Sequence, residues 1–366
     1  MSRAGARRIL ILGMLLLAAC GPSSATEETD APAVGLAITD ARGETVEFAA
    51  PPERVTIAGR GNSMVVNAVY LFPQAETRVV ALPTSGQTLA EDFIALVDPA
   101  YDEKIHFARE VGAEQIAAVQ PDVVLLKRYA VDRLGGPLEA LGVPVAAVEL
   151  ETPAQYERDL RLLGQLLGAE ARAEEVLEFY RRNQDRVAQA LSNLPEDERP
   201  QVLLVQYNDR GGEVAFHVPP ASWIQTTLVE QAGGQPVWTA ASQGDGWTVV
   251  NFEQIAVWDP DRIFVVNYFG DVDETVGRLV ADPAWQSLTA VETGQIYAFP
   301  KDFYSWDQPD PRWILGLTWL ATRIHPTRFE EVDMTAQILD FFGHMYRLDE
   351  ATVRERILPR LQGDVE

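Results

Sequence analysis

The sequence predicts an α/β protein of two lobes, each a parallel sheet covered on both faces, joined by a single long helix with a ligand cleft between the lobes. Three observations carry that expectation. Residues 114–126 read EQIAAVQPDVVLL and residues 253–265 read EQIAVWDPDRIFV, so one phrase is written twice. The strand candidates are near-continuous apolar runs that alternate with helical patterns. Between the two copies lies an amphipathic stretch long enough for a rod.

Residues 1–19 read as a secretory signal. Arg3, Arg7 and Arg8 form a positive start, and residues 9–19 are an apolar run, short of the roughly 20 residues that a membrane span needs. Leu17-Ala18-Ala19-Cys20 resembles the bacterial lipobox, which implies that Cys20 is acylated and anchors the chain to the membrane. Cys20 is the single cysteine, so no disulfide and no cysteine metal site is expected. Residues 20–34 are polar and acidic and read as a flexible tether.

The chain has 366 residues, with 54 acidic against 30 basic side chains and a formal net charge of −24. Such a surface repels nucleic acid and anionic headgroups and suits an extracytoplasmic protein, here a monomer. Residues 37–48 alternate around an Asp-Ala-Arg-Gly turn, a small hairpin. Strand-like runs follow at 54–58 (RVTIA), 78–82 (RVVAL), within the first repeat and at 143–148, completing an N-terminal lobe over 35–168. Thr152-Pro153 opens a helix that Gly168 interrupts, and a linking helix over 169–195 carries Ala173, Val176, Leu177, Tyr180, Val187 and Leu191 on one stripe. The polar gap at Asn183 and Gln184 argues against a coiled coil. A C-terminal lobe over 196–366 resumes with QVLLVQ at 201–206, a helix from Ser222, RIFVV at 262–266, a strand at 295–299 and a helix after Asp310-Pro311. In both copies of the repeat proline ends a short helix, aspartate turns the chain and the next run enters a sheet.

Signal, tether, hairpin, lobe, long helix and lobe, in this order, resemble the substrate-binding proteins of bacterial ABC importers that carry ferric siderophores, haem or cobalamin. The carriers of the likeness are Pro51-Pro52-Glu53-Arg54-Val55, both Glu-Gln-Ile-Ala…Pro-Asp units and the uninterrupted spine. The resemblance implies Rossmann-like lobes on a helical backbone, and a glutamate from each lobe, here Glu114 and Glu253, docking on the transmembrane subunits of the permease. Each opens a short helix, where the macrodipole favours a carboxylate. By the residues alone, the simpler reading is that both are first-turn residues without a partner.

In a two-lobe binder the ligand sits where strand carboxyl ends face across the crevice. The candidates on the first wall are Arg60, Asn62 and Ser63 after one strand and Lys127, Arg128 and Tyr129 after another. Gly59-Arg60-Gly61 begins a dinucleotide fingerprint, but Met64 replaces its third glycine. On the second wall stand Tyr207, Asn267, Tyr268 and Tyr304, with Trp247 and Trp306 in loops where they could stack on a flat ligand. His106, His217, His325 and His344 lack metal-ligand spacing, so no metal site and no cofactor is expected. No catalytic residues stand out either, and an extracytoplasmic α/β hydrolase is the alternative of a different class. The expected cargo is a small molecule, first an iron chelate such as a ferric siderophore, then a molybdate- or tungstate-type oxyanion, then cobalamin or haem.

Overall fold

The computed structural model describes residues 35–60, 63–84, 90–108, 110–210, 212–242 and 244–365. The signal, the tether, Cys20 and Asn62 lie outside the described residues. Strands β1 (Leu36–Thr39) and β2 (Thr45–Phe48) pair antiparallel, with Gly43 in the turn at φ 80°. The turn lies against the edge of the first lobe: Ala41 N–H donates to Ala147 O at 2.9 Å, and Ala147 N–H donates to Asp40 Oδ2 at 3.0 Å. The hairpin thus occupies a sheet edge that would otherwise invite another chain.

The first lobe is a five-stranded sheet of β3 (Val55–Ala58), β4 (Val79–Pro83), β5 (Ile105–Phe107), β6 (Val123–Lys127) and β7 (Val145–Val148). Its order is β5-β4-β3-β6-β7, all parallel. The order reverses direction at β3, so the β3/β6 pair is the topological switch point. β3, β6 and β7 are buried along their whole length, as their unbroken apolar runs require.

The second lobe contains β8 (Gln201–Asn208), β9 (Ala215–Val218), β10 (Gln235–Pro236), β11 (Thr248–Val250), β12 (Arg262–Val266) and β13 (Ile296–Ala298). β12 lies parallel between β8 and β13, and β10 pairs parallel with the start of β8. The switch point here is β8/β12. β9 and β11 run antiparallel at the edge, which the sequence reading did not anticipate. The cause is local: β8 turns back on itself through the glycine-containing loop 209–214 instead of entering a crossover helix.

The written-twice phrase performs the same task in each lobe. Its helix spans Ala113–Ala117 in one copy and Phe252–Trp258 in the other. The residue before proline is left-handed in both, Gln120 at φ 54° and Asp259 at φ 36°. The aspartate after proline then caps the start of the neighbouring central strand. Asp122 Oδ2 accepts the Glu53 and Arg54 N–H groups at 2.9 Å each, and Asp261 Oδ2 accepts the Gln201 N–H at 2.7 Å. Pro-Asp fixes where each switch-point pair begins.

Thr152 caps the helix Pro153–Leu166, Gly168 turns the chain at φ 59°, and the spine Glu170–Ala190 follows. Its 21 residues span about 31 Å. The spine ends at Ala190, five residues short of the end at 195 that the sequence suggested, and a separate turn follows. Asn183, on its buried face, donates to Phe179 O at 2.8 Å, so the polar gap is satisfied within the helix. Arg172 binds both halves to the rod, donating to Leu71 O at 3.1 Å, His344 O at 2.6 Å and Met345 O at 2.9 Å. Tyr180 stacks on Trp313 at 4.8 Å, and its hydroxyl donates to Pro311 O at 2.9 Å.

Candidate functional site

The carboxyl ends of both switch-point pairs carry residues singled out from the sequence. β3 runs through Gly59, left-handed at φ 91°, into Arg60 and the helix Ser63–Val69. β6 delivers Lys127 to the start of the helix Arg128–Ala140. Tyr129, 55% exposed, donates its hydroxyl to Arg60 O at 2.6 Å and so joins the two loops. Arg60 pairs with Glu110, and both side chains are exposed. Arg128 is exposed and makes no ion pair with a carboxylate among the described residues. Ser63 is half-buried.

On the opposite wall Tyr268 leaves β12 and donates to Asp307 Oδ2 at 2.6 Å. That carboxylate also accepts from Ser305 Oγ at 2.5 Å and Gln225 Nε2 at 3.3 Å. Among the described residues no cation pairs with it, and burial raises its pKa above the usual carboxylate range. Burial, reinforced by Asp307, raises the Tyr268 phenol as well, and burial with Asp310 and Asp307 raises Tyr304. Tyr304 also lies within electrostatic reach of Tyr129 of the first lobe. Trp247 meets Trp223 edge-on at 5.6 Å and Tyr268 at 6.1 Å, and Tyr268 meets Phe269 at 6.4 Å. Arg210 lies over Phe269 at 4.3 Å, and Phe269 is 50% exposed. Trp223, Trp247, Tyr268 and Phe269 therefore form an aromatic shelf edged by a cation.

Five expected ligand contacts are turned inward, buried Tyr304 among them. Lys127 is fully buried and donates to Glu149 O at 2.6 Å and to the Glu151 carboxylate; burial lowers its pKa although Glu151 opposes this. Its charge is spent within its own lobe and does not reach a ligand. Trp306 is fully buried, with Nε1 donating to Asp302 Oδ2 at 2.9 Å, so its ring is core and not a stacking surface. Tyr207 lies beneath the Arg278 guanidinium at 5.4 Å. Asn267 shapes its own loop, accepting from the Phe269 and Gly270 N–H groups at 3.1 and 2.8 Å and donating to Thr275 Oγ1 at 2.9 Å. Glu114 and Glu253 are exposed on the first turns of the two repeat helices.

The sequence reading missed a buried charge cluster that fastens the walls together. Arg312 donates from Nε to Asp302 Oδ1 at 2.7 Å and from Nη1 to Asp310 Oδ1 at 2.9 Å, with all three side chains fully buried. Burial opposes the guanidinium's charge, but Asp302 and Asp310 hold its pKa above the ordinary value. Its planar head lies over Phe93 at 4.2 Å. Asn67, in the first lobe, donates to Asp310, and Tyr346 donates to Asn67 O at 3.1 Å. The usable clue was a run of aspartates and one arginine ending against an apolar helix, where charge has to be buried.

A family model for the periplasmic binding protein matches residues 80–303. The chain belongs to the periplasmic binding protein family. It is accordingly an extracytoplasmic substrate-binding protein of an ABC transporter, which takes up small ligands and works with the permease. Among the described residues no helix is long and apolar enough to cross a membrane, and no cluster of three or more His, Cys, Asp or Glu could hold a metal ion. A curated relative, the molybdate-binding protein MolA of Haemophilus influenzae, is 24% identical over 65% of this chain and 70% of its own. The solved structure of that protein bound to molybdate has a TM-score of 0.68 at 19% identity, covering 86% of this chain and 98% of its own. A periplasmic solute-binding protein of Veillonella parvula has a TM-score of 0.71 at 23% identity, covering 88% and 96%. The TroA-like FepB of the same organism has a TM-score of 0.69 at 19% identity, covering 84% and 95%.

Proposed function

We propose that the crevice captures an anionic metal chelate of the ferric-siderophore type and that the protein hands it to the permease through Glu114 and Glu253, while acylated Cys20 holds it at the membrane. The observation that carries the reading is the pairing of unlike walls. Arg128 is exposed at the end of a first-lobe strand, and the half-exposed aromatic shelf stands in the second lobe; in this reading one ligand meets both. Four clustered rings offer contact area that a bare tetrahedral ion does not use, whereas a flat, negatively charged chelate engages both shelf and cation. Burial raises the pKa of the Tyr268 and Tyr304 phenols; half-buried Tyr268 offers contact surface in this reading, whereas Tyr304 is buried.

A second reading, a molybdate- or tungstate-type oxyanion, is favoured by the similarity to MolA. Native mass spectrometry of the full chain with ferric siderophores, haem, cobalamin, molybdate and tungstate separates the two. Retention of a ferric chelate with quenching of tryptophan fluorescence supports the first. Retention of molybdate or tungstate alone replaces it with the second. A blank across the panel together with hydrolysis of simple esters removes both.

A further inference from the structure

Tyr268 and Phe269 of the shelf sit on a turn, residues 267–270, at the end of β12. Asn267 closes the turn from within by accepting the Phe269 and Gly270 N–H groups. A second segment grips it from outside. Lys301 Nζ donates to Asn267 O at 3.0 Å and to Gly270 O at 2.6 Å, so one ammonium spans the first and last carbonyls of the turn. Further along the same segment, Asp307 accepts the Tyr268 hydroxyl at 2.6 Å.

Among the described residues neither Lys301 nor Asp307 forms an ion pair, although Lys104 and Lys127, the other lysines of the chain, each do. Asp271 and Asp273 favour the Lys301 charge only from beyond pairing distance. Asp307 is fully buried and Lys301 half-buried. Taking an unpaired charge out of water is costly, a cost that apolar side chains would avoid. What the two charges add is strong, directional hydrogen bonding to one turn, at its carbonyls and at its phenol. The gripping segment is itself fixed. Lys301 and Gln362 exchange N–H···O bonds at 3.1 and 2.9 Å, and Lys301 is bridged to Ser305. Ser305 Oγ and Gln225 Nε2 hold the Asp307 carboxylate, and the Trp306 ring between them is core. Side chains that meet a ligand are held best by neighbours whose own conformations are locked.

We propose that Lys301 and Asp307 are positioning residues of the binding site. Together they set the place and tilt of Tyr268 and Phe269 and, through the Tyr268 ring, of Trp247, 6.1 Å away. Neither needs to touch the cargo. The inference concerns the shelf itself, and only its effect on affinity rests on the chelate reading.

The test labels the full chain with 5-fluorotryptophan and identifies the Trp247 resonance by its absence in W247F. Without any ligand, K301M, D307A and Y268F each displace or split that resonance, because each releases one grip on the turn. Titration with a ferric tris-catecholate then reads affinity. K301M and D307A each weaken it about tenfold, the loss of a charge-assisted hydrogen bond. The double variant Y268F/D307A binds no more weakly than D307A alone, since both changes remove one and the same bond, whereas independent losses of stability would add. Should D307A fail to fold, Y268F removes that bond from the other side and stands in for it. A Trp247 resonance that stays in place in K301M and Y268F overturns the proposal, as do affinity losses that add in the double variant. If the unaltered chain binds no ferric chelate, the chelate reading falls, and the resonance alone decides on Lys301 and Asp307.

Discussion

Replacing Arg312 by methionine removes the cation between Asp302 and Asp310 while keeping most of the side chain's volume. Both ion pairs, at 2.7 and 2.9 Å, lie among fully buried side chains. Breaking a buried pair from one side costs about 3–5 kcal/mol, because the stranded charge has no water to turn to. Here two carboxylates are stranded. Burial already raises the pKa of Asp310 even with Arg312 beside it, so without the cation Asp310 moves higher. A carboxyl group whose pKa is raised by folding binds more protons in the native state than in the unfolded chain, whose value is about 3.9. Stability therefore increases as pH falls through the raised value. The variant's deficit should be largest near neutrality and should narrow towards about pH 5. Guanidinium unfolding of both proteins, followed by tryptophan fluorescence at the two pH values, measures this. A deficit under about 1 kcal/mol near neutrality, no larger than that of an ordinary surface change, or one that widens on acidification would refute the reasoning.

Asp122→Ala should cost more stability than Asp261→Ala, about 2 against about 1 kcal/mol, because two N–H groups lose their acceptor in the first and one in the second; chemical denaturation of each variant compares them, and a reversed order counts against the shared role of the repeats. Gly316→Ala would place a Cβ 2.3 Å from the Trp306 carbonyl oxygen, backbone that cannot swing aside. Its cost should be at least the 1–3 kcal/mol (roughly) of an overpacked core, and calorimetry showing an unchanged melting temperature would disprove the close approach. Phe269→Ala and Trp247→Ala should each weaken binding of a ferric chelate about tenfold, since a stacked ring is worth roughly 1 kcal/mol or more beyond its area. Titration calorimetry checks this, and undiminished affinity in both variants removes the shelf from the site.

The sheets were legible because burial on both faces leaves an unbroken apolar run, as in VVLLK of β6 and RIFVV of β12. The repeats were legible because proline and aspartate act locally, on the residue before and the strand beside them. The edge strands β9 and β11 were not, since three or four residues give too little alternation to recognise. At the crevice, position at a strand's end was readable but direction was not. Lys127 and Arg128 are neighbours in sequence, yet one is buried against Glu151 and the other is exposed. Trp247 and Trp306 both lie in loops, and only the contacts of the folded chain send one to the shelf and the other into the core. The Arg312 cluster draws Asn67 and Phe93 from the far lobe, so no window of sequence contains it.

The fastening of Asn67 to Asp310 and Tyr346 also governs the order of assembly. Its partners are separated by 243 and 279 positions. A first lobe that formed its sheet on the ribosome would do so before those partners exist, leaving the helix around Asn67 with an exposed flank until nearly the whole polypeptide had been made. Contacts between such distant stretches close slowly, and the interval leaves apolar surface open to mistaken association. Secretion in an unfolded state would bring both ends into one compartment together and shorten that wait.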